Sequence, residues 1–352
     1  MLIPKSRRSG LGLAATIALC ALVATALPTP LDASELISRC ATPDRQTRQA
    51  LYGIDLGGPS GTDCNAGSTN PTGDYDSTFL YEIPVVVHVI MDDACATGVI
   101  SDAMVQSQID ILNEDFQALA GTNGANGTDV QLRFVLATED PVGDPTNGIT
   151  RNCNTAWFND GGGYFNTLAW DPANYLNIYT NLASGALGYV PFLPADGGGA
   201  NVGTNADRVV VLWDTFGRNA PRAPFDLGRT ATHEVGHYLG LEHTFSGGCS
   251  APDPPNCYTT GDLICDTNSE TSPNFGCPGS RSTCSTPDPI DNYMDYSDDI
   301  CMEMFTGEQS RRMRCTLQFW RPDLANVVVV GDPVFSDGFE SGDTSEWTSQ
   351  AP

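Results

Sequence analysis

The stretch HEVGHYLGLEH at residues 233–243 constrains this chain more than any other, because it holds three of only four histidines. On an α-helix, residues four apart stand one turn above each other on the same face. His233 and His237 can therefore present two imidazole nitrogens to one ion about 2 Å away. Two ligands are too few, and Gly240 offers the route to a third. A left-handed residue there stops the helix and swings the chain back, bringing His243 to the same ion. Three neutral histidines on Zn2+ leave the fourth position to water, which is the arrangement of a catalytic zinc and not of a structural one. Glu234 directly follows the first ligand, so its carboxylate is placed to bond the zinc-bound water without ligating the metal. Zinc lowers that water's pKa towards ~7, and Glu234 takes its proton as the oxygen attacks a carbonyl, then passes it to the leaving amine. The implied reaction is hydrolysis of an amide, most simply a peptide bond.

The rest of the chain frames this site. Lys5, Arg7 and Arg8, the apolar run from Leu11 to Leu27 and Ala24-Thr25-Ala26 predict a signal peptide over residues 1–26, and so a secreted protein. The run is short for a bilayer span, and Pro28 and Pro30 follow it. Losing Lys5, Arg7 and Arg8 from 17 basic residues leaves 14 arginines, no lysine and 43 acids, a net charge of −29. Such a surface repels nucleic acid and anionic membranes. The expected partners are protein or peptide substrates, with no nucleic acid and, after signal cleavage, no membrane; the oligomeric state is not legible. Eleven of the 12 cysteines survive that cleavage, an odd number in an exported chain where disulfides are expected.

Residues 27–80 are rich in Pro, Gly, Ser and Asn and read as a pro-segment with little core of its own; a catalytic domain is expected over 81–325 and a tail over 326–352. EIPVVVHVIM at 82–91 predicts a buried strand, with His88 a satisfied core histidine. The stretch after Ser101 predicts a helix whose inner face carries Met104, Ile109, Leu112, Phe116 and Leu119. VQLRFVLAT, NYLNIYTNLA and RVVVLWDTF predict further strands, and ALGYVPFLP, set between glycines and prolines, an edge strand. GRTATHEVGHYLG predicts a helix closed by Gly240, and Thr306-Gly-Glu-Gln309 a capping box opening a helix that runs to about Trp320. Between these two helices, residues 244–304 are irregular and cysteine-rich.

HEVGHYLGLEHT with the downstream NYMDYSDD resembles the metzincin zinc peptidases. The fuller set GRTATHEVGHYLGLEHTFSGGC, GDLICDT and DNYMDYSDDICMEMFTGEQSRRM resembles their pappalysin family, over roughly residues 80–320. The resemblance implies an α+β, two-lobed zinc peptidase. Its upper lobe would have a mixed twisted sheet and a long active-site helix, and its lower lobe would be irregular and disulfide-braced. The resemblance also implies His233, His237 and His243 as zinc ligands, Glu234 as general base, Met294 as a Met-turn floor beneath the metal and Tyr296 as donor to the oxyanion. Substrate would lie antiparallel to the edge strand LGYVPF at 187–192. Asp299 would line a primed-side pocket favouring a basic residue after the scissile bond, or else is a surface acid among Asp295 and Asp298.

Asp262, Asp266 and Thr267 would bind structural calcium, with ion-free Asp-rich turns as the alternative. Cys249–Cys284 and Cys277–Cys301 are the implied disulfides, with Cys257–Cys265 as a local extra. SRCATPD at 38–44 resembles the cysteine switch of metzincin propeptides, with Ala41 where glycine is usual. Cys40 would then be the fourth zinc ligand of a zymogen, leaving an even ten cysteines; a Cys40–Cys64 disulfide is the alternative. Two other functions stay open at this level: an exported adhesin or binding module with an inactive zinc site, and a zinc amidase acting on non-protein amides. The tail FSDGFESGDTSEWTS resembles short C-terminal extensions of exported bacterial proteins.

Overall fold

The computed structural model describes residues 38–53 and 62–328. The expected signal peptide, residues 27–37 and 54–61 of the expected pro-segment, and the tail beyond Val328 lie outside the described residues.

The spine is strand β1 (Leu80–Met91), in which Ile83, Val85, Val86, Val87, Val89 and Ile90 are all fully buried. A strand covered on both faces needs apolar residues at consecutive positions, which explains the unbroken β-branched run. Three strands pair parallel with β1: β2 (Leu132–Leu136), β3 (Ile149–Cys153) and β4 (Leu176–Asn181). β5 (Gly188–Tyr189) forms the outer edge, antiparallel to β6 (Val209–Leu212), which itself runs parallel to β4. The order is β2-β1-β4-β6-β5, a mixed sheet whose last strand borders the site. Asn326–Val328, expected in the tail, instead form β7, antiparallel to the start of β1. β3 was not anticipated; its sequence ITRNC has little strand character, and it is ordered by the pairing that β1 offers.

Eight residues of the expected pro-segment form a helix, α1 (Arg45–Tyr52), capped by Asp44. α2 (Asp102–Phe116) starts at the Ser101 hydroxyl, which accepts the Met104 N–H, and buries Val105, Ile109, Ile111, Leu112 and Phe116 under the sheet. Leu119 does not join that face: the backbone turns at Ala118, with φ of 46°, and Leu119 is 41% exposed. Two single turns follow, α3 (Thr155–Phe158) and α4 (Phe165–Leu168). α5 (Arg229–Tyr238) is buried on every side, and α6 (Gly307–Cys315) opens on the expected Thr306/Gln309 capping box before continuing as a wider turn to Trp320. His88 is a neutral core side chain. Its Nδ1 lies 2.8 Å from Thr150 Oγ1 and its Nε2 3.0 Å from Asn177 Oδ1, and burial pushes its pKa down to about 4.

The half of the body after Gly240 has few regular elements and is cross-linked by Cys249–Cys284, Cys257–Cys265 and Cys277–Cys301. Cys95–Cys153 and Cys64–Cys315 are further disulfides, the latter joining residues 251 apart in sequence. Cys40 is free and buried, so the Cys40–Cys64 alternative does not form. The Cys64 link has a structural consequence. Arg312 Nη2 donates to the Asn65 carbonyl at 2.7 Å and Trp320 Nε1 to the Cys64 carbonyl at 3.0 Å, so the chain from Thr62 onward is built into the catalytic body.

Candidate metal centre

α5 carries His233 and His237 on one face, and Gly240 ends it with φ of 92°. No side chain fits there, since a Cβ would lie 2.6 Å from Thr316 Oγ1. The returning chain delivers His243. His237 Nε2 lies 3.1 Å from His233 Nε2 and 3.0 Å from His243 Nε2. His233 Nδ1 donates to the Tyr293 carbonyl at 2.7 Å, and His237 Nδ1 to the Leu241 carbonyl at 2.8 Å. These bonds put the protons on Nδ1 and leave bare Nε2 lone pairs facing one another in a buried site, where burial holds His233 neutral with a pKa of about 4. Lone pairs packed tip to tip repel unless a cation lies between them, and the spacing is close to the ~3.3 Å that a tetrahedral zinc imposes on its nitrogens.

Cys40 Sγ completes the set. The four ligand atoms of Cys40, His233, His237 and His243 all lie within 4.8 Å of one another, and all four residues are buried. Burial, then the nearby Glu234 carboxylate, pushes the Cys40 thiol up, so a thiolate here needs a cation beside it. The donor set of three imidazoles and one thiol therefore fits zinc.

Glu234 is fully buried. Its Oε2 accepts from Thr42 Oγ1 at 3.3 Å and from Cys40 Sγ at 3.5 Å, and burial pushes its pKa up to about 8. The Tyr296 hydroxyl reaches the Cys40 carbonyl at 3.5 Å, and its ring stands 5.0 Å from that of His243. Met294 lies under the helix at Gly236, where a Cβ would come within 2.5 Å of the Met294 sulfur. That contact explains the glycine inside the His-Glu-Val-Gly-His stretch. Gly236→Ala is expected to force the thioether aside, cost about 1–3 kcal/mol and lower the thermal midpoint together with turnover. Unfolding curves of the two proteins check this, and equal stability would show that the sulfur moves freely.

Asp115 on α2 ties the site to the core. It accepts from Thr232 Oγ1 at 2.6 Å and from the Tyr293 hydroxyl at 2.9 Å, and lies 3.4 Å from Arg229 Nη2. Sequence reading missed it, and the only signal is an acid at a core-facing position of a helix. Asp299 is buried and borders a cavity shared with His233, Glu234 and Phe225. Its Oδ2 accepts the Leu227 and Arg229 N–H groups at 2.9 and 3.2 Å. The three expected calcium residues are not all brought together. Asp262 Oδ2 accepts from Thr267 Oγ1 at 2.6 Å, whereas Asp266 turns away to the start of α6 and accepts the Glu308 N–H at 2.8 Å.

Residues 38–42 lie along the sheet edge in the same direction as the edge chain. Leu187 N–H donates to the Ser38 carbonyl and Ala41 N–H to the Gly188 carbonyl, both at 3.0 Å, and Val190 N–H donates to Thr42 Oγ1 at 2.9 Å. Arg39 sits in the cavity beside Asp299, its guanidinium 3.5 Å over the Phe225 ring and 2.8 Å from Asp298 Oδ1.

The chain is similar to known proteins. The peptidase M43 family model, described as pregnancy-associated plasma protein-A, matches residues 162–318. Extracellular metalloprotease 1 of Coccidioides posadasii is 36% identical over 246 residues, covering 68% of this chain and 77% of that protein. An extracellular metalloprotease of Pyricularia oryzae is 37% identical over 240 residues, covering 66% and 73%. Among solved structures, mature mirolysin of Tannerella forsythia in complex with a cleaved peptide is 36% identical with a TM-score of 0.58, covering 70% of this chain and 96% of that one. A promirolysin mutant of the same organism is 34% identical with a TM-score of 0.59, covering 80% and 90%.

Proposed function

This chain belongs to the pappalysin family of metzincin zinc metallopeptidases, and from that premise we propose how its own residues cut a peptide bond. It is a secreted zinc endopeptidase made as a zymogen. Among the described residues no helix is long and apolar enough to cross a membrane.

The observation that carries the mechanism is the convergence of three histidine Nε2 atoms beside a buried carboxylate. His233, His237 and His243 would hold zinc, above a floor formed by Met294. When bound, zinc supplies a Lewis acid that polarises water and the substrate carbonyl. Glu234 is the general base: once Cys40 and Thr42 leave its Oε2, it takes the proton of the attacking water and hands it to the leaving amine. Tyr296, released from the Cys40 carbonyl, donates to the developing oxyanion, a contribution of about 3 kcal/mol if it matches other single donors.

The chain from Leu187 to Phe192 offers free backbone groups to an extended peptide running antiparallel to it, opposite to residues 38–42. Asp298 and Asp299, with the Phe225 ring, favour a basic side chain after the scissile bond; the seat that Arg39 takes there supports this. For structural calcium the chain offers Asp262 and Thr267 but not Asp266. The removable pro-segment ends before Cys64, because the Cys315 disulfide would retain anything longer.

The test is metal dependence. Elemental analysis of the activated protein is expected to find one zinc per chain. A chelator should abolish peptide cleavage, and added zinc should restore it. Cleavage that continues in a zinc-free, chelator-treated sample would end this reading.

A further inference from the structure

The two arginines of α1 end in one recess. Arg48 Nη2 bonds Glu242 Oε1, and Arg48 Nε lies 2.9 Å from Asp196 Oδ2. Arg45 Nε lies 3.1 Å from the same Glu242 oxygen, and Arg45 Nη2 donates to the Gly261 carbonyl at 2.7 Å. The acceptors are deeply placed, with Glu242 at 3% and Asp196 at 9% exposure. A small cavity adjoins Arg48, bordered by Cys64, Leu193, Asp196, Glu242 and Arg312. Arg312 stays beside Glu242 as a buried charge, but it offers the slot no donor, because its N–H groups go to the Gly240, Asp63 and Asn65 carbonyls and to Thr69 Oγ1. Ser246 Oγ, at 3.5 Å from Glu242 Oε2, carries no charge.

We propose that departure of the pro-segment uncovers a guanidinium slot formed by Glu242, Asp196 and the Gly261 carbonyl, and that the mature enzyme uses it to select an arginine side chain on the N-terminal side of the scissile bond. The inference rests on the peptidase reading above and deepens it. Three observations carry it.

First, the slot already holds its ligand's chemistry: a buried guanidinium is seated there, hydrogen-bonded to Glu242 and ion-paired with Asp196. Second, the departing helix takes both cations with it. Paired carboxylates left in a recess are costly, so a replacement cation gains what the zymogen loses. Third, direction gives the side. Ser38 pairs beside Ala186, Ala41 beside Gly188, Thr42 beside Val190, and the Tyr52 hydroxyl reaches the Pro191 carbonyl at 3.2 Å. Chain following Cys40 thus covers the later end of the edge segment. A substrate running antiparallel lays the residues that precede its scissile bond over that same end. A planar fork of five N–H donors can bond both carboxylates and the carbonyl together, whereas an ammonium acts as a single point charge; the slot therefore ranks arginine above lysine, and lysine above glutamine.

The experiment uses activated full-length protein and one quenched fluorescent peptide frame. Arginine, lysine, glutamine and glutamate are scanned through the four residues before the cleaved bond, with the residue after it held constant. At one position arginine is expected to raise kcat/KM over glutamine by about tenfold or more, mainly through KM. That ratio should fall to near one in Asp196→Asn and in Glu242→Gln. Zinc content is measured for both variants; Glu242 adjoins His243, so Asp196→Asn, on a separate loop, decides if Glu242→Gln loses metal. A flat scan in the unaltered enzyme, or a ratio unchanged in zinc-loaded Asp196→Asn, overturns the slot while leaving the peptidase intact. Cleavage of none of the peptides overturns the peptidase reading and the slot with it.

Discussion

Glu234→Ala is expected to leave the activated protein folded and zinc-loaded while peptide turnover falls by about 10^3- to 10^4-fold, the upper range for loss of a general base. The residue is not among the four ligand-bearing side chains, so the three imidazoles keep their geometry, held by Nδ1 bonds to the Tyr293 and Leu241 carbonyls. What disappears is the carboxylate placed to take a proton beside them. In the full-length chain, where residues 38–42 cover Glu234, stability should move the other way or stay level. Glu234 is fully buried, its Oε1 has no hydrogen-bond partner among the described residues, and burial pushes its pKa up to about 8. A carboxyl held under such conditions costs folding energy, and alanine removes that cost. Three measurements check the expectation: kcat on a quenched peptide, zinc per chain and the thermal midpoint. Turnover within about tenfold of the unaltered enzyme would remove Glu234 from the base role.

The second large effect concerns latency. Full-length Cys40→Ala is expected to cut peptide without prior processing, at least about tenfold above the unaltered zymogen, and to mature earlier. The thiol closes the remaining side of the histidine cluster and bonds the Glu234 carboxylate at 3.5 Å, so alanine unblocks metal and base together. The rest of the segment is still held by backbone bonds to Leu187 and Gly188, by the Arg39–Asp298 pair and by Arg48 on Glu242. Activity will therefore rise short of the fully processed level. A time course of peptide cleavage beside the pattern of chain lengths reads both effects. Unchanged latency would assign the block to the backbone bonds and the arginine pairs and not to the thiol.

Sequence spacing alone delivered the metal-facing stretch, the Gly240 reversal, the capping box at Thr306 and most of the strands. Each rests on a pattern contained within a few residues. Other features left no such pattern. The sequence RQTRQALY of α1 has one exposed leucine and no apolar stripe, and it reads as helix only once Glu242 and Asp196 receive its arginines. Asp115 looks like any helix acid until Thr232 and Tyr293 converge on it. Asp266 looks equivalent to Asp262, yet the start of α6 draws it away. Cys64 could have joined any of ten other cysteines of the mature chain; its partner was decided by α6 lying beside it.

By itself, then, the amino-acid order determined the chemistry: a helical repeat of 3.6 residues and one left-handed glycine suffice to converge three imidazoles and set a carboxylate beside them. Only the tertiary structure decided what lies against that chemistry: that Cys40 stays free to close it instead of joining Cys64, which arginines hold the segment across it, and where the segment becomes part of the body. The reason is that convergence along one helix is a matter of local dihedrals. A partner 194 residues away, as Arg48 is from Glu242, is selected by the packing of the whole chain, and it leaves no periodicity to read.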